Sequence, residues 1–270
     1  MKNLFLFLLI AALGFASCKS DTNSSQQTED KTTTAETKAE KTEPFPITIG
    51  KFGATQQYPD AKMTLMDYQG GVFKFGIENY ELAAQTPDAG QLMCANSGKG
   101  QHIHLIVDNE PYMAKYEEKF ETKITDGEHT ILAFLSRSYH ECIKNGNAAM
   151  VKKVVVENGS FKESKDVTEP MLFYSRPKGT YVGKDTEKLL LDFYPANVTL
   201  GADYKVKVEV NGQMIALLDK WQPYALGGLP MGQNKVTLTL TDGTGKAIDA
   251  PLNPVTREFT LKADPAMGAK

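Results

Sequence analysis

The chain has 270 residues, of which 41% are hydrophobic and 23% are charged, and its formal net charge is −3. This length accommodates one large or two ordinary folded domains. The slightly negative charge provides no basic surface of the kind that nucleic-acid-binding proteins use, so we expect no nucleic acid among the partners.

The N-terminus has the pattern of a secretion signal. A positive start and an apolar run over residues 4–13 lead to Ala16, Ser17 and Cys18. The run is too short to cross a hydrocarbon core about 30 Å thick, so it indicates a cleaved signal rather than a membrane helix. Small residues directly before a cysteine resemble a bacterial lipobox. That resemblance implies a signal peptide over residues 1–17 and a lipid on Cys18, which anchors the protein to a membrane of the cell envelope.

Residues 18–44 have the composition of a disordered linker. Thr, Ser, Gln, Glu and Lys dominate, and no large hydrophobic side chain occurs. Such a segment buries too little apolar surface to offset the entropy that ordering costs. We therefore expect a flexible spacer between the membrane and the folded part.

From residue 45 onwards, the pattern is that of short β-strands. Segments rich in Val, Ile, Phe, Tyr and Thr alternate with frequent glycine turns, which is typical of antiparallel β-sandwiches. The predicted strands are 72–77, 102–107, 129–135, 151–156, 188–193, 204–210, 235–240 and 256–261.

Two parts of this region are similar to each other. Residues 102–109 have the same alternation as residues 205–212, about 100 positions later, and a glycine turn launches a further strand in each copy. We interpret the similarity as two copies of one domain. The predicted fold is all-β, with tandem immunoglobulin-like β-sandwiches over 45–163 and 165–264.

His102 and His104 stand at alternate positions of the predicted strand 102–107. Because the aliphatic residues of this strand must face the core, both imidazoles point to its outer face. Neighbouring imidazoles suit copper or zinc, and His140 is a third candidate ligand in the same domain. This arrangement is similar to that of periplasmic copper carriers of immunoglobulin-like fold. The alternative, which the sequence favours, is a pair of surface histidines that packs beside a partner domain.

Two cysteines remain once Cys18 carries a lipid. In an oxidising envelope compartment, Cys94 and Cys142 most simply form one disulfide. Two free or metal-binding thiols are the alternative.

A second candidate site begins at Ser136 and Arg137 and includes His140, with Asn145-Gly146 following. These residues resemble the Ser-Arg-x-His and Asn-Gly elements of forkhead-associated domains, which bind phosphothreonine. The spacing here is Ser-Arg-x-x-His, one residue longer. The resemblance implies phosphopeptide binding, with serine and arginine holding the phosphate by charge-assisted bonds.

Trp221 is the only tryptophan of the chain. If Trp221 is exposed, we expect it to contact a glycan or a partner protein. A position in the core or in the seam between the domains is the interpretation we favour.

The sequence has no Gly-x-Ser-x-Gly, no His-Glu-x-x-His, no phosphate loop and no dinucleotide fingerprint. We therefore predict that the protein is not an enzyme.

The whole organisation of the chain resembles envelope lipoproteins of the Bacteroidota type, a group of hypothetical proteins sometimes labelled phosphopeptide-binding. The resemblance implies a binding or interaction module with a protein or peptide partner, held at a membrane and facing the periplasm or the cell surface.

Overall fold

The computed structural model describes residues 46–265. Within that range, the regular elements are β-strands and two short 3-10 helices, so the all-β prediction is confirmed. The described residues belong to one compact unit. None of their helices has the length and hydrophobicity that crossing a membrane requires.

The strands are β1 (Thr48–Lys51), β2 (Lys62–Gln69), β3 (Val72–Glu78), β4 (His102–Val107), β5 (Met113–Lys115), β6 (Lys119–Glu121), β7 (Gly127–Ser136), β8 (Ala149–Glu157), β9 (Ser160–Asp166), β10 (Met171–Arg176), β11 (Gly179–Val182), β12 (Leu189–Ala196), β13 (Tyr204–Val210), β14 (Gln213–Leu218), β15 (Tyr224–Gly227), β16 (Gly232–Asp242) and β17 (Val255–Lys262). The 3-10 helices are Ala89–Gln91 and Gly183–Thr186.

The first immunoglobulin-like sandwich consists of two antiparallel sheets. One has the order β2-β3-β6 and the other the order β5-β4-β7-β8-β9. Ile103 and Leu105 of β4 point between the sheets, where they pack with Phe73 and Ile131. The predicted register of β4 is therefore confirmed.

The second sandwich has the sheets β1-β15-β12-β10 and β11-β17-β16-β13-β14. Val206, Val208 and Val210 alternate into its core, as the repeat predicts. The described strands pair in antiparallel fashion except β11 and β17, which run parallel.

The border between the sandwiches differs from the predicted one. The predicted border at residues 163–165 falls inside β9, which pairs with β8 and belongs to the first sandwich. Asn158 and Gly159 have φ angles of +52° and +70°, which suit the tight hairpin turn that joins β8 to β9. The chain crosses to the second sandwich between Asp166 and Met171, and β1 also joins that sandwich.

A buried seam joins the two sandwiches. The outer face of β4 and β7 contributes Ile106 and Phe134, which pack against Met171, Phe173 and Tyr194 of β10 and β12. Every residue of β10 and β12 is buried, because each of these strands has the second core on one face and the seam on the other. The candidate site lies in this seam.

Candidate metal centre

Three histidines meet in the seam. His102 and His104 extend from the outer face of β4, on the side that the alternation predicts. Their exposure differs from the prediction, since both are 0% exposed. The second sandwich covers this face, so both histidines lie beside a neighbouring domain of the same chain.

His140 comes from the loop after β7 and remains partly exposed. Its own N–H donates to the carbonyl of Arg137 at 2.9 Å, which closes a tight turn. The φ of His140 is +72°, in the left-handed region that ends such a turn. This conformation brings its imidazole back over β4.

The ring nitrogens converge at short distances. The Nε2 atom of His102 lies 2.9 Å from Nε2 of His104 and 3.1 Å from Nδ1 of His140. The three ligand atoms all lie within 4.8 Å of one another. Nitrogens bound to one metal ion at about 2.0–2.1 Å are about 3.3–3.5 Å apart. Small side-chain adjustments would therefore place one ion between them.

The remaining nitrogens of the β4 histidines have orienting partners. Nδ1 of His102 donates to the carbonyl of Gly100 at 2.8 Å, which leaves Nε2 of the neutral ring with a lone pair. Nδ1 of His104 lies 3.3 Å from Oγ of Ser175. Ser175 lies on the seam face of β10 because side chains alternate along a strand, with Phe173 towards the seam and Tyr174 towards the second core. Such partners fix ring orientation and tautomer in metal sites.

Tyr112 forms one wall of the site. Its ring stacks on His104 with centroids 3.5 Å apart and an interplanar angle of 8°, and its hydroxyl lies 3.2 Å from Nδ1 of His140. The Nζ atom of Lys178 is 3.8 Å from the centre of the Tyr112 ring, and the Arg176 guanidinium is 5.3 Å from it. Two positive charges therefore stand close to the histidines.

Burial is the main influence on the histidine pKa values. It lowers the pKa of His102 to about 4, and the charges of Arg176 and Lys178 act in the same direction while the Gly100 carbonyl opposes them. Burial likewise lowers the pKa values of His104 and His140 well below the usual range. All three rings are neutral at pH 7, which is the protonation state that binds metal ions.

The disulfide prediction is wrong, because Cys94 and Cys142 are both free thiols, as in the alternative. Cys142 points into the seam, with Sγ 3.4 Å from Oδ1 of Asp192 and 3.1 Å from Nζ of Lys144. Cys94 packs on a different cluster, around Phe52. The loop that carries Cys142 closes onto the second sandwich, which separates the two thiols. Burial raises the pKa of each thiol.

The predicted phosphate ligands are engaged inside the protein. Arg137 is buried, and its Nε donates to the carbonyl of Gln56 at 2.8 Å while Nη1 donates to the carbonyl of Cys142 at 3.0 Å. Its guanidinium also pairs with Glu141 at 3.3 Å. Ser136 is buried beside it. These residues hold the loop 137–144 and present no exposed surface for a phosphopeptide, whereas His140 joins the other histidines.

Trp221 is half-buried in the seam, the position that the sequence analysis favours. Its Nε1 donates to the carbonyl of Phe193 at 2.9 Å, and its ring meets Tyr194 edge-on at 5.0 Å. It therefore supports the packing of the two sandwiches.

Sequence reasoning missed the neighbours of the histidines. Tyr112, Ser175, Arg176 and Lys178 carry no motif, and only the tertiary fold brings them to β4. One signal was available in principle: Arg176 ends a six-residue strand that otherwise has no charge. A single charge at the end of such a strand indicates either an exposed end or a buried ionic site.

No protein-family model matches the chain, and no curated protein matches it. Among solved structures, the Clostridium thermocellum CbhA fibronectin(III)-like modules are 16% identical, with 35% of this chain and 99% of that chain covered and a TM-score of 0.27. The central fibronectin-III array of RIM-binding protein is 13% identical, with 77% and 70% covered and a TM-score of 0.26. Bacteroides ovatus SGBP-B of a mixed-linkage glucan utilization locus, in complex with mixed-linkage heptasaccharide, is 6% identical, with 82% and 72% covered and a TM-score of 0.25.

Proposed function

We propose that this protein is a non-enzymatic binding module of the cell envelope whose ligand is a single copper or zinc ion. The ligands are His102, His104 and His140. The observation that carries the proposal is the convergence of three neutral imidazoles, with ligand atoms within 4.8 Å of one another. Access is from the side of His140, which is the partly exposed member of the group.

Hydrogen bonds give the histidines partners, but they leave one short contact between two ring nitrogens without a proton. Because Nδ1 of His102 donates to a carbonyl, its Nε2 has a single lone pair. Two ring nitrogens approach that lone pair, at 2.9 Å from His104 and 3.1 Å from His140. One proton can occupy only one of the two contacts. When His104 supplies it, Nδ1 of His140 accepts from the Tyr112 hydroxyl at 3.2 Å, and no proton lies between His102 and His140. An ion at the centre would accept all three lone pairs once the proton of His104 moves to Nδ1, where Ser175 accepts it.

The surrounding charges favour copper in its singly charged state. Arg176 and Lys178 stand beside the histidines, and the group of metal-ligating side chains at this place contains no carboxylate. Coulomb repulsion is proportional to the charge of the ion, and the cost of desolvation rises more steeply still. Cu(I) therefore meets half the repulsion that Zn²⁺ meets, and three imidazoles are suitable ligands for copper. We expect Cu(I) to bind more tightly than Zn²⁺.

Metal content tests the proposal directly. The full chain, loaded anaerobically with Cu(I) or with Zn²⁺ and then dialysed, should retain about one ion by elemental analysis, with copper retained better. His104→Gln removes a central ligand and should reduce retention by at least about tenfold. His129→Gln is the matched control, because His129 is the one histidine outside the cluster.

Thermal melts separate loss of the site from loss of the fold. A bound ion stabilises the folded state, so metal should raise the melting temperature of the wild type and of His129→Gln, and not that of His104→Gln. Retention of neither metal by a folded wild type would refute the proposal, and so would equal retention by His104→Gln.

Anchoring to a membrane is the second part of the proposal, and it rests on Cys18, which lies outside the described residues. The apolar run that ends in Ala16-Ser17-Cys18 supports it. The wild type should partition into the detergent phase, whereas Cys18→Ser should yield a soluble or unprocessed form. Membrane fractionation and the same processed mass for the serine variant would contradict lipidation.

A further inference from the structure

A small cavity lies beside the histidine cluster and has room for about one species the size of a water molecule. Its lining residues are Ala95, Tyr139, His140, Arg176, Tyr181 and Leu190. Arg176 provides the only charge of this lining.

Arg176 is a buried cation without a counter-ion. Arg176 is only 8% exposed. Nη1 donates to the hydroxyl of Tyr181 at 2.9 Å, and the guanidinium lies over the rings of Tyr112 and Tyr181 at 5.3 and 5.9 Å. Its Nε is buried and has no hydrogen-bond partner among the described residues. The ion pairs within residues 46–265 all involve residues other than Arg176.

The contacts that Arg176 does have are neutral. Phenol hydroxyls and aromatic faces solvate a cation partly, but they carry no negative charge. Lys178 adds to the positive charge here, since its Nζ lies over the same Tyr112 ring. Burial lowers the pKa of Lys178 to about 8, with the charge of Arg176 as the next cause. This part of the seam therefore lacks negative charge, and a buried charge without a partner is strongly unfavourable.

We propose that the cavity binds one monatomic anion of the halide class as the counter-ion of Arg176. The anion would accept the free Nε–H of Arg176. The size of the cavity excludes phosphate, sulfate and carboxylates. A water molecule would accept the same hydrogen bond but would leave the charge uncompensated. The proposal is independent of the metal site, although an anion here would also reduce the repulsion that a cation meets at His140.

The test uses the full chain, freed of metal with a chelator, in sodium gluconate at constant ionic strength. Replacing gluconate by chloride should raise the melting temperature until the site is saturated, because chloride binds the folded state only. In Arg176→Gln, the chloride concentration for half the effect should rise by at least about tenfold, since the cation is gone. Lys188→Gln is the control: Lys188 is a half-buried cation that donates to the carbonyl of Leu92 at 3.0 Å and does not line the cavity.

A wild type without any chloride effect would overturn the proposal, and so would an undiminished effect in Arg176→Gln. If that variant does not fold, wild-type crystals grown in sodium bromide decide the question. An anomalous peak within hydrogen-bond distance of Nε of Arg176 would support the anion. Water alone at that place, or bromide at surface positions only, would refute it.

Discussion

Asp192→Asn should lower the free energy of unfolding by about 3–5 kcal/mol. Asp192 lies on β12, is 0% exposed, and accepts hydrogen bonds from Nζ of Lys144 at 2.7 Å and from the N–H of Cys142 at 3.0 Å. Both donors belong to the first sandwich, so this carboxylate joins the two halves of the protein. Asparagine keeps the shape and removes the charge, which leaves Lys144 in the seam with Glu141 alone, at 3.5 Å.

Urea unfolding measures the loss, and a matched pair shows that burial causes it. Asp166 pairs with Lys152 at the same 2.7 Å, but its side chain is 80% exposed. Asp166→Asn should therefore cost less than about 1 kcal/mol. Adding Lys144→Met to Asp192→Asn should recover part of the stability, because neither charge is then left unpaired. Equal losses for the two asparagine variants would show that the seam is open to solvent.

The strands and the core register were predictable because they depend on local alternation. In β13, Val206, Val208 and Val210 alternate with charged residues, so only one register buries the valines. The same reasoning placed His102 and His104 on the outer face of β4. These predictions depend on residues a few positions apart, which is the range over which a sequence pattern is informative.

The burial of the seam strands β10 and β12 on both faces was not predicted, although part of its signal is present. The strands β10 and β12 read Met-Leu-Phe-Tyr-Ser-Arg and Leu-Leu-Leu-Asp-Phe-Tyr-Pro-Ala, without the alternation of a half-exposed strand. Such continuous apolar runs are typical of strands buried on both faces. Which surface covers β4 nevertheless depends on the docking of the two sandwiches, and no local pattern specifies that.

The candidate site depends on the same docking. Tyr112 reaches the histidines from the loop before β5, whereas Ser175 and Arg176 reach them from β10, and the distance in sequence between His104 and Ser175 gives no indication of their contact. The disulfide prediction failed for a related reason. That prediction was based on the number of cysteines. In the structure, the loop that carries Cys142 is enclosed by the seam, and Cys142 contacts Asp192 and Lys144.

Mild acid should destabilise the metal-free protein through the three histidines. Burial holds the pKa of His102 at about 4 in the folded state, against about 6.5 when unfolded. Between these values the unfolded chain binds more protons, so the free energy of unfolding is highest above about pH 6.5 and falls as the pH drops towards about 4. His102 alone accounts for roughly 3 kcal/mol over this window. His104 and His140 act in the same direction, since their pKa values are also lowered.

Urea unfolding at fixed chloride, at intervals between pH 7.5 and 5, measures this effect. The free energy of unfolding should fall by up to about 4 kcal/mol per pH unit below pH 6.5, with about 1.4 kcal/mol from each ring. Glu141 opposes the trend, because burial raises its pKa.

His102→Asn should reduce the slope of the unfolding free energy against pH by the contribution of one ring, whatever its effect on stability at pH 7.5. Lys178→Gln should also reduce the slope, since the charge of Lys178 helps to lower all three histidine pKa values. The control variant Lys188→Gln should leave the slope unchanged. A flat profile from pH 7.5 to 5 would mean that the histidines are already protonated or solvated in the folded protein, and the neutral cluster on which metal binding depends would then not exist.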